Sequence, residues 1–344
     1  MTRYNEAEKL KKAHDNIMAL PENELKDWPE VKGYDFENPF NIGAFLESLY
    51  NTGFQATNLY KAMRIFQMMK EDKATIFFGF TSNMATSGIR EIITYLTKQR
   101  IVGVLVTTAG GVEEDIIKTH KPFVLGSYDA DGKVLRDQGI NRSGNIYVPN
   151  DRYIFLEGFM NNVYNKMYDE QKKTGKIFNT CDLMNFIGEL LDYYEGKESS
   201  ICYWAWKNKI PLFCPGFTDG SLGDILFFFK QRHPDFKVDI TDDIVAITKI
   251  AINAEKTGII ALGGSLPKHH IANANLFRDG ADYAIYMTTA QEYEGSNAGA
   301  NIEEGKSWGK IKPDAKAVKV VGDCSITFPL LVAGLLYLEK ENKK

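Results

Sequence analysis

The sequence predicts an α/β fold in which a mostly parallel sheet is covered by helices on both faces. Three units follow one another six times along the chain: a short run of β-branched or aromatic residues, a polar glycine-rich loop, and an amphipathic helix. Continuous apolar runs are typical of strands buried on both faces, and their alternation with helices favours parallel pairing. The predicted strands are residues 74–80, 102–106, 212–217, 258–262, 283–287 and 317–321.

Helical periodicity accounts for most of the chain between these strands. The first predicted helix covers residues 42–69 and is broken near Gly53, since glycine interrupts helices. Helices after the first, third and fourth strands are predicted to end near Arg100, Gln231 and Asp279, and a last helix follows the sixth strand. Each strand is therefore followed by enough chain to cross over and pair in parallel.

The chain is predicted to consist of an arm and one domain. Residues 1–35 are charged and helical in pattern, which is typical of an arm that packs on the body or on another subunit. Residues 36–344 contain no Pro- or Ser-rich linker, so we expect a single domain. An insert at about 120–210 is predicted to contain a hairpin around Gly144 and Pro149.

The composition excludes several classes of function. The net charge of −4 and the lack of a Lys/Arg cluster argue against nucleic-acid binding. The sequence has no run of about 18 apolar residues, so it predicts no membrane span, and the N-terminus lacks a secretory signal pattern. Four dispersed cysteines and one adjacent histidine pair, His269–His270, predict neither disulfides nor a zinc site. We expect a soluble protein of the cytoplasm.

Acidic side chains recur in the loops after the predicted strands. In parallel α/β folds ligands bind outside the carboxyl ends of the strands, so these loops are expected to meet at one site. A carboxylate cluster there could bind Mg²⁺, a polyamine or another cation. Each acid taken alone could equally cap a helix or lie in its first turn. The acids are Glu113, Glu114, Asp219, Asp224, Glu304 and Asp323.

Glycines in the same loops are compatible with a bound nucleotide. Gly110, Gly220 and Gly264 lie in turns from which backbone N–H groups at a helix N-terminus could approach a phosphate. None of these turns is a G-x-G-x-x-G motif, and tight strand-to-helix turns need the same residues.

A lysine near the C-terminus is a candidate nucleophile. Lys310 follows Gly309 and lies two residues after Trp308. A lysine in water is almost fully protonated, but an indole face and an open backbone can desolvate it and lower its pKa. His269 follows a predicted helix start, where the helix dipole favours the neutral base. The alternatives are a solvated surface loop and a structural histidine.

Seven segments together resemble the deoxyhypusine synthase family. They occur in family order and the match extends over nearly the whole chain, from about Gly33 to about Leu338. The segments are residues 53–58, 81–83, 105–115, 218–224, 268–275, 307–310 and 328–331.

This resemblance implies a Rossmann-like fold and an NAD-dependent transferase. Such an enzyme moves the 4-aminobutyl group of spermidine onto one lysine of the translation factor eIF5A precursor and forms deoxyhypusine. The reaction passes through an imine on an enzyme lysine, which corresponds to Lys310. The family is also a homotetramer, a dimer of dimers, with active sites shared across a dimer interface.

The resemblance assigns site residues position by position. Lys310 and His269 match the catalytic lysine and the proton acceptor. The positions that match spermidine-binding residues are Glu113, Glu114, Asp224, His269, Asn297, Glu304 and Trp308. The positions that match NAD-binding residues are Ser82, Asn83, Met84, Ala85, Thr86, Thr108, Ala109, Gly110, Glu114, Asp219, Asp224, Gly264, Thr289, Ala290, Asp323 and Cys324.

Two positions depart from the family pattern. Asn297 stands where aspartate usually contacts a terminal amine, and Cys324 stands where alanine is usual. The loss of charge at Asn297 is expected to weaken spermidine binding, because a hydrogen bond to a charged group contributes about 1.5–3 kcal/mol. Two alternatives remain open: a regulatory subunit that needs a paralogous partner, and a homospermidine synthase with putrescine as acceptor.

Overall fold

A six-stranded parallel sheet forms the centre of the computed structural model, which describes residues 2–18 and 25–341. A small three-stranded antiparallel sheet is formed by chain that lies between two strands of the large sheet in sequence. The strands in chain order are β1 (Thr75–Phe80), β2 (Val104–Thr107), β3 (Val124–Leu125), β4 (Ile140–Ser143), β5 (Ile146–Pro149), β6 (Leu212–Phe213), β7 (Thr257–Leu262), β8 (Ala281–Thr288) and β9 (Ile311–Val321).

Helices connect the strands of the large sheet and cover both of its faces. They are α1 (Thr2–Ile17), α2 (Ile42–Thr52), α3 (Phe54–Glu71), α4 (Ser82–Thr86), α5 (Ile89–Lys98), α6 (Ala109–His120), α7 (Gly132–Asp137), α8 (Asp151–Thr174), α9 (Thr180–Leu191), α10 (Ile201–Asn208), α11 (Ser221–Arg232), α12 (Thr241–Asn253), α13 (Ser265–Leu276), α14 (Ile302–Ser307) and α15 (Cys324–Glu341).

The strand order of the large sheet is β6-β2-β1-β7-β8-β9, and every neighbouring pair is parallel. From β1 the sheet extends through β2 to β6 on one side, and through β7 and β8 to β9 on the other. This is the doubly wound order in which a crevice opens at the switch between the two halves, here between β1 and β7. The predicted fold class is confirmed.

The strands of this sheet are buried on both faces, as their continuous apolar runs predicted. In β1, Phe78 and Phe80 pack into one hydrophobic cluster, whereas Phe77 packs into a second. Successive side chains of a strand point to opposite faces, so both faces must be covered by helices. Helix α13 covers the side of Phe77, and α3 and α15 lie on the other side.

Several boundaries differ from the predicted ones. Strand β6 ends at Phe213, because the chain turns at once: the N–H of Phe217 donates to the carbonyl of Cys214 at 3.0 Å. Strand β9 begins six residues earlier than the predicted residues 317–321. Helix α12 was not predicted, and the helix after β1 is split in two at Ser87.

The insert contains the predicted hairpin. Strands β4 and β5 pair in antiparallel fashion, with Ser143 opposite Ile146, and are joined by Gly144 and Asn145. Pro149 is the last residue of β5.

The predicted N-terminal arm is described only in part. Its helix α1 ends at Ile17, and residues 19–24 lie outside the described part of the chain. Residues 25–41 form turns and irregular chain rather than helix. Across the described ranges, no helix is long and apolar enough to span a bilayer.

Candidate active site

A cleft of ≈ 660 Å³ runs along α13 and α14 and contains the candidate nucleophile. Five of the residues predicted for the site line it: His269, Asn297, Glu304, Trp308 and Lys310. They come from α13, from the loop after β8, from α14, and from the segment that connects α14 to β9. The fold therefore joins two stretches of chain about forty residues apart into one cleft.

The end of α14 places Lys310 in this cleft. Gly309 has a positive φ of 71°, a conformation that glycine adopts without strain, and it turns the chain out of the helix. The N–H of Lys310 then donates to the carbonyl of Gly305 at 3.0 Å. The Lys310 carbonyl accepts from the N–H of Ala281, the first residue of β8, at 3.1 Å. Both backbone groups of Lys310 are thus held.

One positional expectation is wrong for Lys310. The polar clusters were expected at the carboxyl ends of the strands, but Lys310 immediately precedes β9 and pairs with the start of β8. The long loop after β8 passes through α14 and returns to the amino edge of the sheet. The backbone of Lys310 therefore lies at this edge, and its side chain extends from there to α13.

Lys310 lies beside a histidine and an indole. Its Nζ is 3.4 Å from His269 Nε2 and 5.4 Å from the centre of the Trp308 ring. Burial lowers the pKa of the Lys310 ammonium, and the charge of Glu304 opposes this shift. A partly desolvated lysine with a base in reach can lose its proton and act as a nucleophile. Trp308 itself is 64% exposed.

His269 is the fifth residue of α13, and its ring is held from within the helix. Its Nδ1 lies 3.1 Å from Nδ2 of Asn273, one turn later. Burial and then the positive charge of Lys310 lower the pKa of His269. The imidazole is therefore largely neutral at neutral pH and available as a base.

The acids of α6 form a second cluster, apart from this cleft. Glu113 is 5% exposed and accepts from the N–H of Leu222 at 2.8 Å. Burial, with a contribution from Asp224, raises the pKa of Glu113 to about 7. Burial also raises the pKa of Glu114 to about 7, although the hydroxyl of Thr86 donates to its carboxylate. Neither glutamate is among the described residues that line the lysine cleft.

The positions predicted to bind a nucleotide lie at the carboxyl edge of the sheet. Ser82, Asn83, Met84, Ala85 and Thr86 form α4 directly after β1. The other positions begin α6, α13 or α15 or follow β6 and β8: Thr108, Ala109, Gly110, Asp219, Asp224, Gly264, Thr289, Ala290, Asp323 and Cys324.

One side chain at this edge has a free hydrogen-bonding group. The hydroxyl oxygen of Thr108 is buried and has no partner among the described residues. Thr108 is the N-cap residue of α6, but its side chain makes no capping hydrogen bond to the helix. A polar atom of this kind is commonly satisfied by a ligand or a water molecule. Thr108 follows β2, which pairs with β1 on the side away from β7, and this position at the carboxyl edge fits a bound dinucleotide. The described residues include no group of three or more His, Cys, Asp or Glu side chains that could hold a metal ion.

Two contributors to the site carried no signal in the sequence. Lys268 lines the cleft and is only 3% exposed, although a lysine at a helix start usually lies at the surface. Lys118 donates to the carbonyls of Ala85 at 3.0 Å and Ser87 at 2.9 Å and holds the end of α4. Lys306 of α14 pairs with the exposed Glu303.

Fold and cleft together define a class: a doubly wound α/β protein with a lysine–histidine pair beside the sheet. The family model of deoxyhypusine synthase matches residues 44–335. The chain is 49% identical to a probable deoxyhypusine synthase of Methanocaldococcus jannaschii, over 90% of this chain and 98% of that protein. It is 44% identical to the deoxyhypusine synthase of Senecio vernalis, over 91% and 90%.

A solved structure agrees with these sequence matches. A crystal structure named as a deoxyhypusine synthase of Entamoeba histolytica superposes with a TM-score of 0.66 at 29% identity, over 89% of this chain and 96% of that one. The chain belongs to the deoxyhypusine synthase family, and it is an enzyme of the transferase type.

Proposed function

We propose that this enzyme transfers the 4-aminobutyl group of spermidine to a lysine of the eIF5A precursor, with NAD as cofactor and an imine on Lys310 as intermediate. One observation carries the proposal: the half-buried Lys310 ammonium lies 3.4 Å from His269 Nε2 inside a cleft large enough for a polyamine. The resemblance to the family supplies the identity of the substrates.

The residues of the cleft support the covalent steps. His269 takes the proton of the Lys310 ammonium, and the neutral amine adds to the imine carbon of dehydrogenated spermidine. The bond from that carbon to the 1,3-diaminopropane nitrogen breaks, and Lys310 holds the butylamine as an imine. The acceptor lysine then adds to the same carbon and releases Lys310.

The proposed cofactor would lie at the carboxyl edge of the sheet, held by α4, by the start of α6 and by the unpartnered hydroxyl of Thr108. NAD, when bound, accepts the hydride that leaves spermidine and returns it to the product imine. The amine ends of the substrate would be held by Glu304 and by the acids of α6, with Trp308 beside the aliphatic chain.

Trapping of the intermediate tests the proposal. We expect the purified chain, incubated with NAD and radiolabelled spermidine and reduced with borohydride, to carry label on Lys310 that passes to the eIF5A precursor when that protein is added. A folded, NAD-binding chain without label would indicate a regulatory subunit that needs a partner. Transfer to putrescine rather than to the precursor would indicate a homospermidine synthase.

We also propose a homotetramer with sites shared between copies. The acids of α6 and the lysine cleft are separate on one chain, and large apolar side chains next to them are exposed. Phe227 and Phe228 of α11 and Ile244 of α12 are more than half exposed. Exposed apolar surface of this kind is typical of a protein interface.

Mixed assemblies test the shared site. Lys310→Arg and Glu114→Gln chains, each expected to be inactive alone, should regain about a quarter of wild-type activity when co-expressed, since half of the dimers are mixed and each contains one intact site. Activity of the purified mixed assemblies, with their mass from light scattering, is the measurement. Mixed assemblies as inactive as the parents would place the whole site within one copy.

Asn297→Asp is expected to tighten spermidine binding, because it adds a negative charge to the wall of the cleft. The side-chain nitrogen of Asn297 donates to the Ser265 carbonyl at 3.0 Å, and an aspartate loses that bond. A small decrease in stability, about 0.5–1.5 kcal/mol, should therefore accompany the lower KM for spermidine. Steady-state kinetics and thermal melts measure the two effects, and an unchanged or higher KM would refute the charge argument.

A further inference from the structure

Lys268 is a buried cation without a carboxylate partner among the described residues. Only 3% of it is exposed, and its Nζ donates to the carbonyl of Asn297 at 2.7 Å and to that of Ala300 at 3.0 Å. The same Nζ lies 4.1 Å from the centre of the Tyr286 ring. Both hydrogen bonds therefore end on the backbone of a single short stretch of chain.

That stretch, residues 295–301, is here called the wall segment because it forms one side of the lysine cleft. Other contacts also hold it. Lys319 of β9 donates to the carbonyl of Gly299. The segment passes so close to Gly264 that a Cβ there would lie 2.3 Å from Ala298 Cα. Two lysine ammonium groups and one close approach thus hold the segment against α13 and β9.

The wall segment leads directly into α14. Ala300, whose carbonyl Lys268 holds, precedes Asn301, and the Asn301 side chain caps α14 by accepting from the N–H of Glu304 at 2.8 Å. The helix carries Glu304 and ends at Ser307, three residues before Lys310. A displacement of Ala300 would therefore move the start of the helix that orients the cleft.

We propose that Lys268 is a positioning residue that holds the wall segment in place and thereby sets the positions of Asn297 and Glu304 for binding the substrate amine. The proposal rests on the proposed function, since it concerns the same cleft. Lys268 acts through backbone carbonyls and need not touch the substrate.

The charges around Lys268 show why an apolar side chain would be easier to bury there. Burial lowers the pKa of Lys268 to about 8, and the positive charges of Lys319 and Lys310 act in the same direction. Glu304 of α14 opposes them. Burying a charge without a paired carboxylate is unfavourable, and among the described residues the two carbonyls, the Tyr286 ring and the more distant charge of Glu304 compensate it. The unfavourable burial is understandable if the two hydrogen bonds are needed for the shape of the cleft.

Lys268→Met tests this role, because methionine keeps the length of the side chain but cannot donate to the carbonyls. Lys306→Met is the matched control, since Lys306 lies on α14 and pairs only with the exposed Glu303 among the described residues. We expect amide exchange in residues 297–304 to accelerate at least about tenfold in Lys268→Met, and the KM for spermidine to rise at least about tenfold, against little change in the control. The affinity for NAD should stay within about twofold, since both hydrogen bonds of Lys268 end on the wall segment and not on the loops after β1 and β2.

Two results would overturn the proposal. In the first, Lys268→Met has wild-type exchange in residues 297–304 and a wild-type KM. In the second, amide exchange rises equally across the whole protein and the affinities for spermidine and NAD fall together, as in a general loss of stability. If the wild-type chain forms no trapped intermediate, the proposed function fails, but the exchange measurement still tests whether Lys268 holds the wall segment.

Discussion

Lys310→Arg is expected to abolish the covalent intermediate while the chain still folds and binds NAD. Arginine keeps a positive charge beside Trp308, but its guanidinium stays protonated and cannot add to an imine. Transfer should fall on the order of 10³-fold or more, which corresponds to about 4 kcal/mol of activation free energy. Borohydride trapping with labelled spermidine measures the intermediate, and a binding titration measures NAD.

Lys306→Arg is the matched control for this substitution. It lies four residues earlier, in α14, and is expected to trap and transfer label as the wild type does. Substantial transfer by Lys310→Arg would remove Lys310 from its assigned role.

Glu113→Gln is expected to stabilise the fold above pH 7 and to weaken amine binding. Burial raises the pKa of Glu113 from 4.5 to about 7, so the folded state binds more protons than the unfolded state between these values. Its contribution to stability is present below pH 4.5 and is lost as the pH rises through 7. Glutamine removes that loss, at most about 3 kcal/mol, and can still accept from the N–H of Leu222.

The effect on activity should have the opposite sign. Above pH 7 the wild-type carboxylate can attract the cationic substrate, so the KM for spermidine should rise at least about tenfold in Glu113→Gln. Thermal melts and kinetics at pH 5, 6, 7 and 8 measure both effects, with the exposed Glu303→Gln as control. Equal melting temperatures at pH 8 together with an unchanged KM would contradict the assignment of Glu113 to the polyamine site.

The strands and the local order of the site followed from the sequence because both depend on short-range patterns. Continuous runs such as β1 and β7 must be buried on both faces, which requires helices on both sides. Trp308 and Lys310 lie close together because they are two residues apart in the chain and the chain turns at Gly309. The family motifs then supplied roles for these residues, which the spacing alone left open.

Other elements were misjudged because their extent depends on distant contacts. Strand β6 is short since its neighbour β2 pairs only with Leu212 and Phe213 before the chain turns. Strand β9 extends back to Ile311, where it pairs with Ala281 at the start of β8. The sequence pattern within a strand does not indicate where its partner strand ends.

The sequence by itself determined the parallel α/β class, the loops that carry polar groups, and the pairing of an indole with a lysine, because periodicity and spacing act along the chain. Only the tertiary structure decided that Lys310 lies against His269, that the acids of α6 lie outside the lysine cleft, and that Lys268 is buried. The reason is physical: whether a charged side chain is solvated or desolvated depends on which remote segment covers it. For Lys268 that segment is residues 295–301, about thirty residues later in the chain.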